Sequence, residues 1–315
     1  MAKNKIQFQK GMSFEDFIEQ YGTEDKCRDQ LFKLRWASGF ECPICGNKTY
    51  CEIHDRKVFQ CNRCHYQTSV TAGTIFHSTH LPLTKWFLAM FLITQSKNGI
   101  SALELHRQMG VSYNAAWRVK HKIMQVMLER DSSKPITGRI EIDDSYLGAK
   151  RVSGKRGRGA GKKTPFVAAV ETTDDKKPLR IKLSKVKGFS KQEIRRWSMH
   201  NLRSDCMVVS DGFSCFKAVV NAGCNHTPFI VGGGKQAVDH PAFKWVNTIL
   251  GNVKNSLKGT YHRFSKKHTS RYLAEFQYRF DRRIDLAGML PRLAYASVRT
   301  PPMPMRLLKL AEKEW

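Results

Sequence analysis

The stretch GRIEIDDSYLG, residues 138–148, decides the fold. Its apolar and polar residues alternate with period two, which predicts a β-strand. Ile140, Ile142 and Asp144 then share one face, and Glu141 and Asp143 take the other. Further along, TPFVAAVETT and LRIKLSKV read as two more strands and SKQEIRRWSMHNL as a helix. CMVVSDG, residues 206–212, reads as a fourth strand that ends at Asp211 followed by a glycine. Asp143 thus falls within the first strand and Asp211 just past the fourth.

Three strands, a helix and another strand, with those two acids, follow the order of a ribonuclease-H-like domain. In that arrangement carboxylates converge and hold two divalent ions for in-line attack on a phosphodiester. A third ligand is expected from a later helix, and AFKWVNTILGNVKNSLKG (242–259) has the pattern for one. Val246, Ile249, Leu250, Val253 and Leu257 fall on one side of it. Asn247, Gly251, Lys254 and Lys258 fall on the other, so Asn247 and Lys254 stand two turns apart on a polar face. The plain alternative is an ordinary solvent-facing stripe. Asp239 and Glu275 are the acidic alternatives to Asn247. Between the first two strands lies GAKRVSGKRGRGAGKK (148–163), with seven basic residues and no acidic one. It reads as a loop that touches phosphates through Lys150, Arg151, Arg156 and Arg158, or as a solvated charged loop.

Upstream, CPICG (42–46) and CNRCH (61–65) form two C-x-x-C pairs separated by fifteen residues. Each short turn offers two thiolates, and four of them suit tetrahedral zinc in a ribbon with no open coordination position. Cys42, Cys45, Cys61 and Cys64 are the expected ligands, with Cys51, His54 and His65 as possible substitutes. Tyr50, Lys57, Phe59 and Arg63 could present the ribbon to DNA; otherwise it packs only on its neighbour. Next, GISALELHRQMGVSYNAAWRVKHKIMQVM (99–127) reads as a helix, a break at Gly110 and a second helix capped by Ser112. That is a helix-turn-helix pattern, in which Ser112, Tyr113, Asn114, Arg118 and Lys120 would meet DNA.

The whole chain of 315 residues carries 54 Lys and Arg against 27 Asp and Glu, a net charge of +27. That excess points to a polyanion, nucleic acid before membrane surface. At 41% apolar residues the chain can build cores, which excludes a disordered polycation. The longest unbroken apolar run, Trp86 to Ile93, is too short to span a bilayer, and MAKNKIQFQK lacks the apolar core of a signal peptide. Nine cysteines, five of them between Cys42 and Cys64, argue for a metal site in a reducing compartment. Cys27, Cys206, Cys215 and Cys224 read as small buried hydrophobes.

Taken together, these motifs resemble a bacterial insertion-sequence transposase of the DDE superfamily, in the group that pairs a transposase zinc ribbon with an ISXO-type catalytic domain. The resemblance runs from about residue 14 to 290. It rests on CPICG and CNRC, TAGTIF, PLTKWF, IEIDDSYLGAK, VVSDGF, NTILGNVKNSLKGTYH, KKH and RYLAEFQYRFDRR. It implies a multi-domain α/β chain: an N-terminal helical segment (1–39), zinc ribbon (40–72) and helix-turn-helix region (73–130). A ribonuclease-H-like catalytic domain (131–290) and a basic, Pro-containing tail (291–315) follow.

By the resemblance, Asp143 and Asp211 are the first two catalytic carboxylates, and Asn247 takes the third metal position, often Glu in the family. Lys254 is the basic residue seven further on. Asp281 stands where the family tends to have Asn. The implied cofactors are structural Zn²⁺ and two catalytic Mg²⁺ or Mn²⁺ ions. The implied activity is strand cleavage at terminal inverted repeats, then transfer into target DNA. Double-stranded DNA is the implied partner, contacted also by Lys258 and His262, and the chain is expected to form a homo-oligomer on it. The expected location is the bacterial cytoplasm, at the nucleoid and away from membranes. A domesticated transposase acting as a DNA-binding regulator is the alternative, and a structure-specific nuclease on the same fold is a second.

Overall fold

The computed structural model describes residues 6, 8–148, 163–230, 240–262 and 265–310. Lys150, Arg151, Arg156, Arg158 and Asp239 lie outside the described residues. Two compact units are present: Met1–Met127 with Arg283–Leu310, and Leu128–Arg282. Among the described residues no helix is long and apolar enough to cross a membrane.

In the first unit, helix α1 (Phe14–Tyr21) opens with a capping box: Ser13 Oγ accepts from the Asp16 N–H, and the Asp16 carboxylate accepts from the Ser13 N–H, each at 3.0 Å. Helix α2 (Glu24–Arg35) follows, capped by Thr23. Strands β1 (Tyr50–Ile53), β2 (Val58–Cys61) and β3 (Gln67–Thr68) form an antiparallel sheet in that order. The apolar helix α3 (Leu83–Gln95) takes its cap from another element. The Glu24 carboxylate accepts from the Leu83 and Thr84 N–H groups at 2.9 and 3.3 Å. Helix α4 (Ala102–Met109) ends at Gly110, whose φ of +62° favours glycine. Helix α5 (Tyr113–Ser132) starts where Ser112 Oγ accepts from the Ala115 N–H at 3.2 Å.

The helices of this unit pack around α3, none of whose residues is exposed. Phe17 of α1 lies 4.7 Å from Phe91 of α3, ring to ring, and Tyr21 stacks on Phe87 at 4.6 Å. The stretch expected as a tail is partly a helix, Met289–Ser297, with Leu290 and Leu293 fully buried. Pro291 sits in its first turn, where no intrahelical donor is lost, so this proline does not interrupt the helix. The Ser297 carbonyl accepts from the Ile75 N–H at 3.4 Å, which ties this helix to the first unit.

The second unit is built on strands β4 (Arg139–Leu147), β5 (Thr164–Thr172), β6 (Pro178–Lys185), β7 (Met207–Ser210) and β8 (Asn225–Pro228). Their order across the sheet is β6-β5-β4-β7-β8. β4 and β5 are antiparallel, as are β5 and β6, while β4, β7 and β8 run parallel. This is the ribonuclease-H-like mixed sheet.

Helix α6 (Lys191–Asn201) and the 3₁₀ turn Ser214–Ala222 cover one face, where Ile140, Ile142, Val167, Val208, Ile194 and Phe216 pack together. Helix α7 (Lys244–Tyr261) covers the other, with Val246, Ile249, Leu250, Val253 and Leu257 against Phe166, Ala168 and Val209. Helix α8 (Thr269–Asp281) lies along β6, whose Ile181 and Leu183 N–H groups donate to Asp281 Oδ1 and Gln277 Oε1 at 2.9 and 3.1 Å. Those two side chains occupy donors that a bare sheet edge would leave open.

Candidate metal centres and catalytic site

The two C-x-x-C pairs adopt the same knuckle. Gly46 N–H donates to the Cys42 carbonyl at 2.9 Å and His65 N–H to the Cys61 carbonyl at 3.0 Å, and both residues have positive φ. The turns bring four sulfurs together: Cys42–Cys64 and Cys45–Cys61 are 3.6 Å apart, and Cys45–Cys64 is 3.5 Å. Tetrahedral zinc with bonds of about 2.3 Å separates its sulfurs by about 3.8 Å, so the set fits that ion. Burial opposes ionisation of Cys61. The Cys64 and Arg63 N–H groups and the Asn47 amide outweigh it and bring the thiol down to about 6. Cys51, His54 and His65 are not members of this cluster.

The ribbon is held from behind by α2. Phe32 and Trp36 pack on Phe59 at 5.0 and 5.5 Å, and Phe40 packs on Tyr50 at 4.7 Å. Phe59 is therefore buried rather than offered to DNA, a correction to the sequence reading; Lys57 and Arg63 are exposed. Cys27, Cys206, Cys215 and Cys224 are buried as expected, and burial pushes the Cys27 thiol up to about 12.

On the sheet, β4 and β7 register Ile140 with Val208 and Glu141 with Val209. Asp143 and Asp211 each stand two residues beyond that last pair, and the odd-numbered positions face α7. Asp211 is set by a tight turn. Its Oδ1 accepts from the Phe213 N–H at 3.0 Å, and Gly212 has φ +81°. A Cβ on Gly212 would meet the Ile230 side chain at 3.0 Å. Behind the turn, Ser210 Oγ bonds His226 Nε2 at 2.9 Å.

Asp143, Asp144 and Asp211 form one cluster whose ligand oxygens lie within 4.8 Å of one another, and all three are half-buried. Alternation places Asp144 on the opposite face to Asp143, so sequence reasoning did not include it. β7 pairs with β4 only as far as Glu141, which leaves the end of β4 uncovered on that side. The one available signal was adjacency to Asp143. Three carboxylates at this spacing repel one another, and their hard oxygens suit Mg²⁺ or Mn²⁺.

Asn247 is half-buried in the first turns of α7, while Lys254, Lys258 and His262 are exposed further along. Glu275, the acidic alternative to Asn247, is fully buried and engaged by Arg279 at 2.8 Å and by the Tyr261 hydroxyl. The basic run after Lys254 is only partly a surface. Arg271 and Arg279 are buried, and Arg282 forks onto the Asp131 carboxylate at 2.8 and 3.0 Å.

In the helix-turn-helix, Ser112, Tyr113, Asn114 and Arg118 are exposed at the start of α5. Lys120 is 1% exposed, which removes it from the expected DNA-contacting set. Helical geometry puts residue 120 one position after core residue Val119 and four after core residue Ala116, on the packed side.

Residues 135–281 match the ISXO2-like transposase domain, and residues 22–67 match the transposase zinc-ribbon domain, which takes in α2 as well as the ribbon. A relative from Halobacterium salinarum, described as an uncharacterized protein in transposable element ISH50, is 25% identical over 283 residues, covering 83% of this chain and 92% of its own. Among solved structures, the Mos1 strand transfer complex is 12% identical with a TM-score of 0.22, covering 63% of this chain and 76% of that one. A pre-cleavage Mos1 transpososome is 8% identical with a TM-score of 0.20, covering 63% and 77%. Likenesses at those scores add nothing to the strand order. The two matched domains together cover more than half of the chain, and with the ribbon, the mixed sheet and the acidic cluster in that order, the chain belongs to the insertion-sequence transposases of the DDE superfamily that join a transposase zinc ribbon to an ISXO-type domain.

Proposed function

We propose that this chain is an active DNA transposase that binds the terminal inverted repeats of its element, cleaves a strand at each end and joins it to target DNA. The observation that carries the reading is the cluster of Asp143 on β4, Asp211 just past the neighbouring parallel strand β7, and Asp144, with ligand oxygens within 4.8 Å of one another. Asp143, Asp211 and Asn247 would hold two Mg²⁺ or Mn²⁺ ions, with Asp144 adding charge beside them. When bound, such ions supply activation of an attacking hydroxyl and stabilisation of a leaving 3′-oxygen.

The exposed Lys254 would bind a phosphate next to the site, and Lys258 and His262 would extend that contact along the backbone. Ser112, Tyr113, Asn114 and Arg118 would enter a major groove at the element's ends. Zn²⁺ on Cys42, Cys45, Cys61 and Cys64 would hold the ribbon rigid for that recognition. Two ends must be joined together, so the working form would be a homo-oligomer on DNA, at the nucleoid.

One observation favours a second reading. Asn247 offers a neutral oxygen where a carboxylate would bind metal more strongly, which suits a domesticated protein that binds ends as a regulator without cutting. Incubating the purified chain with end-containing duplex and Mg²⁺ or Mn²⁺ separates the two. Nicks at the end boundary, lost when the end sequence is scrambled, support the transposase. Binding without any nick supports the regulator, and nicking of scrambled ends indicates a structure-specific nuclease.

A further inference from the structure

Helix α7 has no cap of its own: Phe243 precedes it without a capping side chain, and its first turn contains no acid. The Glu141 carboxylate on β4 supplies both. Its Oε2 accepts from the Trp245 and Val246 N–H groups at 2.8 and 3.0 Å, the donors that an N-cap side chain would normally serve. Its Oε1 accepts from Arg139 at 2.9 Å. Arg139 in turn donates to the Ala242 carbonyl and to Thr172 Oγ1, both at 3.4 Å. Glu141 is 1% exposed, and a carboxylate so buried is tolerated only when a cation and donors surround it.

The place of this clasp gives it a consequence beyond capping. Asp143 is two residues along β4 on the same face, about 7 Å away at strand rise. Asn247 is the residue after Val246. One carboxylate therefore sets the register of α7 against β4 at the point where each would contribute a metal ligand. We propose that Glu141 is a positioning residue that fixes Asn247 beside Asp143. The proposal rests on the reading of Asn247 as third ligand.

The test is Mn²⁺ binding to the full chain without DNA, followed by the electron paramagnetic resonance signal of free Mn²⁺. Glu141→Gln keeps volume and one acceptor but turns an amide donor toward Arg139. It is expected to weaken Mn²⁺ binding about tenfold, as losses behind a metal ligand commonly do. Asn247→Ala should weaken it similarly, and the double variant should bind no worse than Asn247→Ala alone. Glu24→Gln, which alters the equivalent clasp on α3, should lower Tm with Mn²⁺ binding unchanged. Arg139→Lys, a gentler change should Glu141→Gln fail to fold, should weaken binding less but in the same direction. Wild-type Mn²⁺ affinity in a folded Glu141→Gln or Arg139→Lys protein makes the clasp merely structural and overturns the proposal. So do additive losses in the double variant. An Asn247→Ala protein with unchanged affinity sinks the third-ligand reading, and the proposal with it.

Discussion

Asp143 on β4 and Asp211 just past the end of β7 each stand two residues beyond the registered pair of Glu141 and Val209, on adjacent strands that run parallel. With Asp144 they place three carboxylates close enough to share cations and to repel one another without them.

Removing one member of that set separates chemistry from stability. Asp143→Asn or Asp211→Asn should abolish cleavage of end-containing DNA while binding to the same DNA persists in a mobility-shift assay. In chelator, Tm should hold or rise, since a repelling charge has gone. The Tm gain on adding Mn²⁺ should shrink. A fall in Tm in chelator together with lost DNA binding would assign these residues to folding instead.

The thiolate cluster makes a separate prediction. Cys61→Ser should bring bound zinc from about one per chain to none, measured by release to a chromogenic chelator. Zinc needs all four sulfurs as thiolates, so acid should release the metal as protons compete for them. The β1–β3 hairpin amides should then lose protection from hydrogen exchange.

Asp281 offers a pH test. Burial, then the nearby Asp131 carboxylate, pushes it up to about 8 from an ordinary 3.8. Between those values the folded chain keeps a proton that the unfolded chain gives up, so this group lowers stability as pH rises from 3.8 to about 8, with no further change above. Asp281→Asn keeps the acceptor for the Ile181 N–H. Its Tm advantage over wild type should grow from pH of about 5 to about 8 and then level off, worth at most a few kcal/mol. A constant difference across that range would refute the shift.

Lys120 and Arg118 should behave oppositely although two positions apart. Arg118→Ala should weaken binding to end-containing duplex more than to scrambled duplex, and lower the salt-dependence slope by about one. Lys120→Ala should leave that slope alone and cost about 1–3 kcal/mol of stability, read by denaturant titration, because its stem is packed.

Much of this was legible beforehand for a local reason. Period two marked β4 and β7, period 3.6 marked α7, and every apolar residue expected on the buried side of α7 is buried. Ser112 and Gly110 bounded their helices because capping and left-handed turns depend on neighbours in sequence. The misses share the opposite cause. Lys120 read as a surface residue by type and Phe59 as a ring offered to DNA, and the burial of both depends on which elements cover them. The stretch from 291 on read as a tail, and that part of it belongs to the helix Met289–Ser297 with Leu290 and Leu293 buried also depends on which elements cover it.

By itself, the amino-acid sequence determined the elements, their order, the four thiolates and the acids within the first strand and just past the fourth, since backbone periodicity and ligand spacing are properties of short segments. Only the tertiary structure decided that Asp144 joins Asp143 and Asp211, that Glu275 is engaged elsewhere, and that Glu141 caps a helix a hundred residues away. Those pairings depend on where sheet register ends and which buried charge finds which donor, and burial and hydrogen bonding across separate elements settle both.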